Sequence, residues 1–273
     1  MPAFLLLLLL APDDIVRRVY DVNGQAVPAG RTESAGGSRV TMIRNANGRE
    51  VPVESVEERV VADGIVERTI RRYDPSGNPG PVERVRIETR KAPDGSVEAV
   101  TTVQRGDING KLAVIERSTA VTRGTQTVET IERVGMTGGL QLTERRETAR
   151  KPSGETTVVQ QLDANGRLYQ SGRTSLERTS TTENRAEYES TNGQMQLVRQ
   201  TVTRRDGDRT EVDVFTPGPQ GEPRLAQRQI VEKTRSNGGF TSAVSVQLTD
   251  GSGRLTSPRL VEETICKGEC VAK

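Results

Sequence analysis

Apolar residues, mostly Val, are scattered among Thr, Arg and Glu in segments of about ten, and a short Gly-containing turn ends each segment. In a strand, successive side chains point to opposite faces. The segment from Thr125 then places Thr125, Thr127, Glu129, Ile131 and Arg133 on one face. Its other face holds Gln126, Val128, Thr130, Glu132 and Val134. From Val82 to Arg90, one face is Val82, Arg84, Arg86, Glu88 and Arg90, and the other is Glu83, Val85, Ile87 and Thr89. Leu176 to Thr182 is polar on both sides. A sheet with one buried face shows one clean apolar row. Here at best one face is weakly apolar, and helices are not indicated, because Gly, Pro or Asn interrupts the chain about every 14 residues and Val and Thr fill the gaps.

The turns repeat. Asp21-Val22-Asn23-Gly24, Asp74-Pro75-Ser76-Gly77, Asp107-Ile108-Asn109-Gly110, Asp163-Ala164-Asn165-Gly166 and Asp250-Gly251-Ser252-Gly253 are versions of one motif. Looser copies sit at Asn47-Gly48, Gly138-Gly139, Asn192-Gly193 and Gln220-Gly221. The repeat is about 29 residues, the signature of a repeat architecture. A second set falls between them at Gly64, Gly95, Gly124, Gly154, Gly207 and Gly239, with a polar gap near Asn184. Each unit thus reads as two strands joined by tight turns, the pattern of hairpins.

These features predict an all-β fold, an antiparallel meander of two-strand units. The favoured arrangement is an extended single-layer sheet held by backbone ladders and cross-strand pairs. A rolled sheet or shell is the second arrangement. Residues 1–11 read as a leader segment, and 12–45 as irregular strands with a Gly/Ser loop from Ala29 to Ser38. The hairpin repeat covers 46–265, and a Cys-containing tail covers 266–273.

Composition sharpens the picture. Three Phe, four Tyr and no Trp leave little to build a deep core, while Val and Thr favour strands. The 39 basic and 37 acidic residues nearly cancel, so no global field steers the chain toward nucleic acid or a membrane surface. Apart from the run Leu5–Leu10, no stretch is strongly apolar, and that run is too short to span a bilayer. It suits the core of an export signal, although no basic residue precedes it and Pro12 follows Ala11.

Candidate chemistry is sparse. With no His, the commonest general base and metal ligand is absent from the sequence. Asp-x-Asn-Gly lacks the further acidic ligands of a calcium loop and reads as a hairpin turn. Adjacent carboxylates such as Glu57 and Glu58, or Glu262 and Glu263, point to opposite faces and cannot flank one glycosidic bond. Arg alternates with Glu instead of forming the basic stripe that phosphate binding needs. Cys266 and Cys270 could close a small disulfide clip if the chain turns at Gly268. No enzyme and no cofactor are expected.

The motifs around Tyr20-Asp21, Tyr73-Asp74 and Asp163-Ala164-Asn165-Gly166-Arg167-Leu168 resemble YD (RHS) repeats, which implies an extracellular β-shell. The charge-rich strands of 46–265 resemble the single-layer sheet of the spirochaete outer surface protein A. The function expected is an exported, non-enzymatic structural, surface or adhesion element, secreted, periplasmic or on the cell surface. Its partner would be a protein or polysaccharide there. The alternative is a ligand- or carbohydrate-binding module, or a shell fragment enclosing a partner.

Overall fold

A computed structural model describes residues 15–20, 24–28, 31–35, 37–44, 49–107, 109–236 and 239–267. Among these residues every regular element is a β-strand. Four short strands come first: β1 (Ile15–Tyr20), β2 (Ala26–Pro28), β3 (Arg31–Ala35) and β4 (Ser38–Arg44). Longer strands follow: β5 (Glu50–Ala62), β6 (Ile65–Tyr73), β7 (Pro79–Lys91), β8 (Val97–Gly106) and β9 (Leu112–Arg123). The next five are β10 (Gln126–Val134), β11 (Leu140–Lys151), β12 (Gly154–Leu162), β13 (Leu168–Arg178) and β14 (Thr182–Thr191). The last five are β15 (Gln194–Asp206), β16 (Arg209–Pro217), β17 (Pro223–Ser236), β18 (Gly239–Leu248) and β19 (Arg259–Lys267).

All pairings are antiparallel. From β3 to β19 each strand pairs with the next, as the short hairpin turns require. One part of the predicted loop is ordered as strand. Arg31–Ala35 pairs with Ser38–Met42 as β3, because Gly37 at φ +84° lets the chain reverse directly into β4.

The ladder continues past its last strand. β19 pairs with β1, Ile15 opposite Cys266, and β1 pairs with β2, Tyr20 opposite Ala26. Strands β2 and β3 are therefore the two margins of the sheet. No ladder joins them among the described residues, so the hydrogen-bonded sheet is not closed into a barrel. The margins are nevertheless covalent neighbours. Pro28 and Arg31 are three residues apart, and that length of chain spans at most about 11 Å. The single layer bends round until its margins lie close together.

Most of the turns at the bulged end of the sheet share one motif, while the Asn192-Gly193 turn has only two residues between its paired strand ends. In the turn after β12, the Asp163 amide donates to the Arg167 carbonyl at 2.9 Å, and the Gly166 amide donates to the Asp163 carbonyl at 3.0 Å. The Asp163 carboxylate accepts from the amides of Asn165 and Arg167, both at 2.8 Å. The same backbone pair of bonds forms at Asp74, Ala92, Asp107, Gly135, Gly218 and Asp250. The turn carboxylates thus face their own main chain. In the copy at 135–139 the positive-φ residue is Gly138, not Gly139. Ser76-Gly77 and Asn109-Gly110 occupy the predicted turn positions, and Gly24 has φ +75°. Asn23, Asn47 and Gly48 lie outside the described residues, as do residues 1–14 and Cys270. The polar gap near Asn184 holds no turn; the chain reverses earlier, where the Thr179 amide donates to the Thr182 carbonyl at 2.8 Å.

A β-bulge recurs with the turns. One extra residue stands in the strand after the turn at Val53, Ile115, Thr143, Ser171, Val198, Ala226 and Val261. Thr143 Oγ1 donates to the Ile131 carbonyl at 3.1 Å, and Ser171 Oγ to the Val159 carbonyl at 3.3 Å. Each bulge bends its strand and adds right-handed twist. Because all seven lie on the same end of the sheet, their bends add, which suits a layer that curls back on itself.

Little apolar surface is buried. Among the residues whose side chains are described, the buried apolar ones are Val51, Ile131, Leu176 and Ala186, and the buried polar or charged ones are Glu67, Ser96, Glu144 and Asp213. With as many polar as apolar residues inside, the layer depends on ladders and cross-strand pairs more than on a core.

Candidate functional site

The richest surface lies on one face of β11 to β17. Following directly opposed residues from strand to strand gives one continuous row: Lys151, Gly154, Glu177, Asn184, Val202, Asp213 and Arg228. A second row beside it runs Ala149, Thr156, Ser175, Ala186, Gln200 and Phe215.

At one end of these rows sits an ion cluster. Asp213 is only 2% exposed. Arg228 binds it bidentately from β17, Nε to Oδ1 at 2.6 Å and Nη2 to Oδ2 at 2.9 Å. Arg204 Nη1 reaches Oδ2 from β15 at 2.7 Å. Glu211 lies 4.0 Å from Arg228 and accepts from Arg209, which also bonds Glu232. Burial, the largest single influence on the Asp213 carboxyl, opposes ionisation. The bonds and charges of Arg228 and Arg204 together outweigh it and hold the group below the ordinary aspartate range.

At the other end the side chains are small. Ala149, Gly154, Thr156 and Ser175 leave a depression of about 580 Å³, edged by Lys151, Glu177, Arg178 and Asn184. It offers hydroxyls on Thr156, Ser175 and Thr182. The Asn184 side-chain oxygen Oδ1 is fixed by a bond from Gln200 Nε2 at 2.9 Å. Nearby, the Arg173 guanidinium stacks 4.5 Å from the Tyr188 ring centre. The depression can accept and donate hydrogen bonds but holds no poised nucleophile–base pair.

Charge pairs recur elsewhere on the sheet. Glu67 sits between Arg59 and Arg86, at 2.7 and 3.0 Å. The bond from Arg59 is the main reason its carboxyl stays low. Glu58 bonds Arg68, while its neighbour Glu57 opposes Thr69 on the other face, as the strand period requires. Glu263 accepts from Arg18 at 3.2 Å and from Tyr20 at 3.3 Å, across the β1–β19 junction.

Asn165-Gly166, Asn109-Gly110 and Asn192-Gly193 all lie in turns away from the rows described above. Cys266 opposes Phe240, while Cys270 lies outside the described residues, so the predicted clip does too. Among the described residues no group of three or more Cys, Asp or Glu is arranged to hold a metal ion. No helix there is long and apolar enough to cross a membrane. Sequence reasoning missed Asp213: the segment Glu211-Val212-Asp213-Val214 alternates like many others. Only the register beside Arg204 and Arg228 distinguishes it.

No protein-family model matches the chain. No curated protein matches it either. Among solved structures, it is similar to a protein of unknown function from Bacteroides fragilis NCTC 9343, at 17% identity and a TM-score of 0.30. That likeness covers 48% of this chain and 91% of the other. A porin-like protein from Bacteroides uniformis ATCC 8492 aligns at 10% identity and a TM-score of 0.14, over 92% of this chain and 94% of its own. Likenesses this distant leave the functional reading to this chain's own residues.

Proposed function

We propose that the protein is an exported, non-enzymatic structural or interaction element of the cell envelope or surface. The observation that carries this reading is the single polar layer, in which many of the charged side chains pair with one another across strands. Among the described residues, the carboxyls whose ionisation the surroundings move are moved down: Glu67, Asp74, Glu88, Asp94, Asp213, Glu222 and Asp250. A general acid for neutral pH needs the opposite shift. These groups instead brace strands and turns. Two wetted faces and a charged strand surface suit a spacer or scaffold that stays soluble without packing against a second layer. Cell fractionation with protease treatment of intact cells tests the reading. Recovery in the envelope or medium, cleavable from outside, supports it; confinement to the cytosol overturns it.

The depression on β11–β14 favours a second reading, a site for a hydroxyl-rich ligand such as a glycan segment. A glycan array with the full chain and with Ser175→Tyr, which fills the depression, decides it. Binding lost in the variant supports the reading; absence of binding to any glycan ends it.

A further inference from the structure

Asn192 is the only residue other than glycine with positive φ among the described residues, at +52°, and Gly193 follows at +78°. The two alone connect β14 to β15, because Thr191 directly opposes Gln194. Positive φ at both central positions defines a type I′ hairpin turn. Both residues are exposed. No backbone carbonyl among the described residues accepts from the Gly193 amide. Two other glycines that follow Asn differ in this respect. The Gly110 amide is bonded to the Asp107 carbonyl, and the Gly166 amide to the Asp163 carbonyl, each at 3.0 Å.

We infer that Asn192 is a site of spontaneous covalent modification, converting to aspartyl and isoaspartyl forms through a succinimide. The Gly193 amide nitrogen loses its proton to solvent base and attacks Asn192 Cγ. The new bond joins that nitrogen to Cγ, the bond from Cγ to Nδ2 breaks, and Nδ2 leaves as ammonia with a proton from water. Water then adds to one ring carbonyl. Opening at Cγ restores the normal main chain as aspartate. Opening at the main-chain carbonyl carbon reroutes the chain through Cγ as isoaspartate. No oxidant or reductant is consumed. Glycine leaves the attacking nitrogen unshielded, since a Cβ at Gly193 would meet nothing within 4 Å. At Asn109 and Asn165 the same attack first requires the turn bond to open.

The consequence falls on the β14–β15 hairpin. Isoaspartate inserts one methylene into a connection that register fixes at two residues, and either product adds a negative charge. The Ser190–Met195 and Thr191–Gln194 pairs beside it lose their fixed geometry.

The test is peptide mapping by mass spectrometry of the folded full chain aged in mildly alkaline buffer, with an isoaspartate-specific methyltransferase as second readout. Conversion at Asn192 several-fold faster than at Asn109 and Asn165, with the gap closing in concentrated urea, is the expected result. Equal rates in the folded chain overturn the inference, as does an ordering that urea leaves unchanged. Loss of the methyltransferase signal in Asn192→Gln ties that readout to this position; a signal that persists undiminished also counts against it.

Discussion

Asp213 shows how this molecule uses charge. A carboxylate buried alone would cost several kcal/mol, and only partners on both sides make the position tolerable. Arg228 supplies a bidentate pair and Arg204 a third bond, while both guanidiniums keep contact with water. Asp213→Ala should lower stability by about 2 kcal/mol, below the usual cost of breaking a buried pair because Arg204 is half exposed. Urea unfolding measures it. Asp213→Asn should cost less, since one oxygen still accepts. The depressed carboxyl also sets a pH dependence. Its contribution is complete above the unfolded aspartate range, about 4, and is lost as pH falls through the lower folded value. In wild type the urea midpoint should therefore drop on acidification below that range, and the drop should be smaller in Asp213→Asn. At this scale the abundance of Arg and Glu is visible in the sequence. The identity of the buried acid is not, because burial follows from register across three strands.

At the scale of the element, turns and bulges divide the labour. Turn chemistry is written in residue type: Asp accepts main-chain bonds and Gly takes positive φ. The turns were therefore readable, down to the Asp163–Gly166 copy. Two glycines separate conformational freedom from close approach. Gly166 has φ +73° with open space around it, so Gly166→Ala should cost about 1 kcal/mol. At Gly154 an added Cβ would lie 1.9 Å from the Leu176 carbonyl oxygen, inside the β12–β13 pairing. Gly154→Ala should be the more damaging of the two in thermal unfolding; an equal or milder effect would contradict the close approach. Bulges were not readable. Their residues, Val53, Ile115, Thr143, Ser171, Val198, Ala226 and Val261, share no side-chain type. Their common property is position, five residues after Gly110, Gly138, Gly166, Gly193 and Gly221 in the five central copies. The strand β3 was missed for a similar reason: its Gly- and Ser-rich surroundings look like a loop, and only pairing with β4 makes it a strand.

For the whole molecule, two polar faces along nearly every strand made a single layer legible, and short turns made the meander legible. The course of that layer in space was not. It depends on β1 meeting β19, a contact between residues such as Arg18 and Glu263, which are 245 positions apart. No local pattern encodes such a pairing. The repeated bulges give it a physical basis, since each adds bend of the same sense. Deleting Thr143, Ser171 and Val198 together should leave the hairpins paired but weaken the β1–β19 junction, read as faster amide exchange in those two strands. Unchanged exchange there would separate the bulges from the curvature. A layer with adjoining margins also fits the proposed envelope role, because it exposes few unpaired strand edges to other chains.

The most direct test of this account places spin labels at Arg18→Cys and Glu263→Cys, with Cys266 and Cys270 replaced by Ser. The two positions are directly opposed in the ladder, about 5 Å apart at Cα. Strong dipolar broadening in the frozen-solution spectrum, absent from either single-labelled chain, is the predicted result. A doubly labelled chain whose spectrum matches the sum of the single-labelled ones would contradict the meeting of the first and last strands.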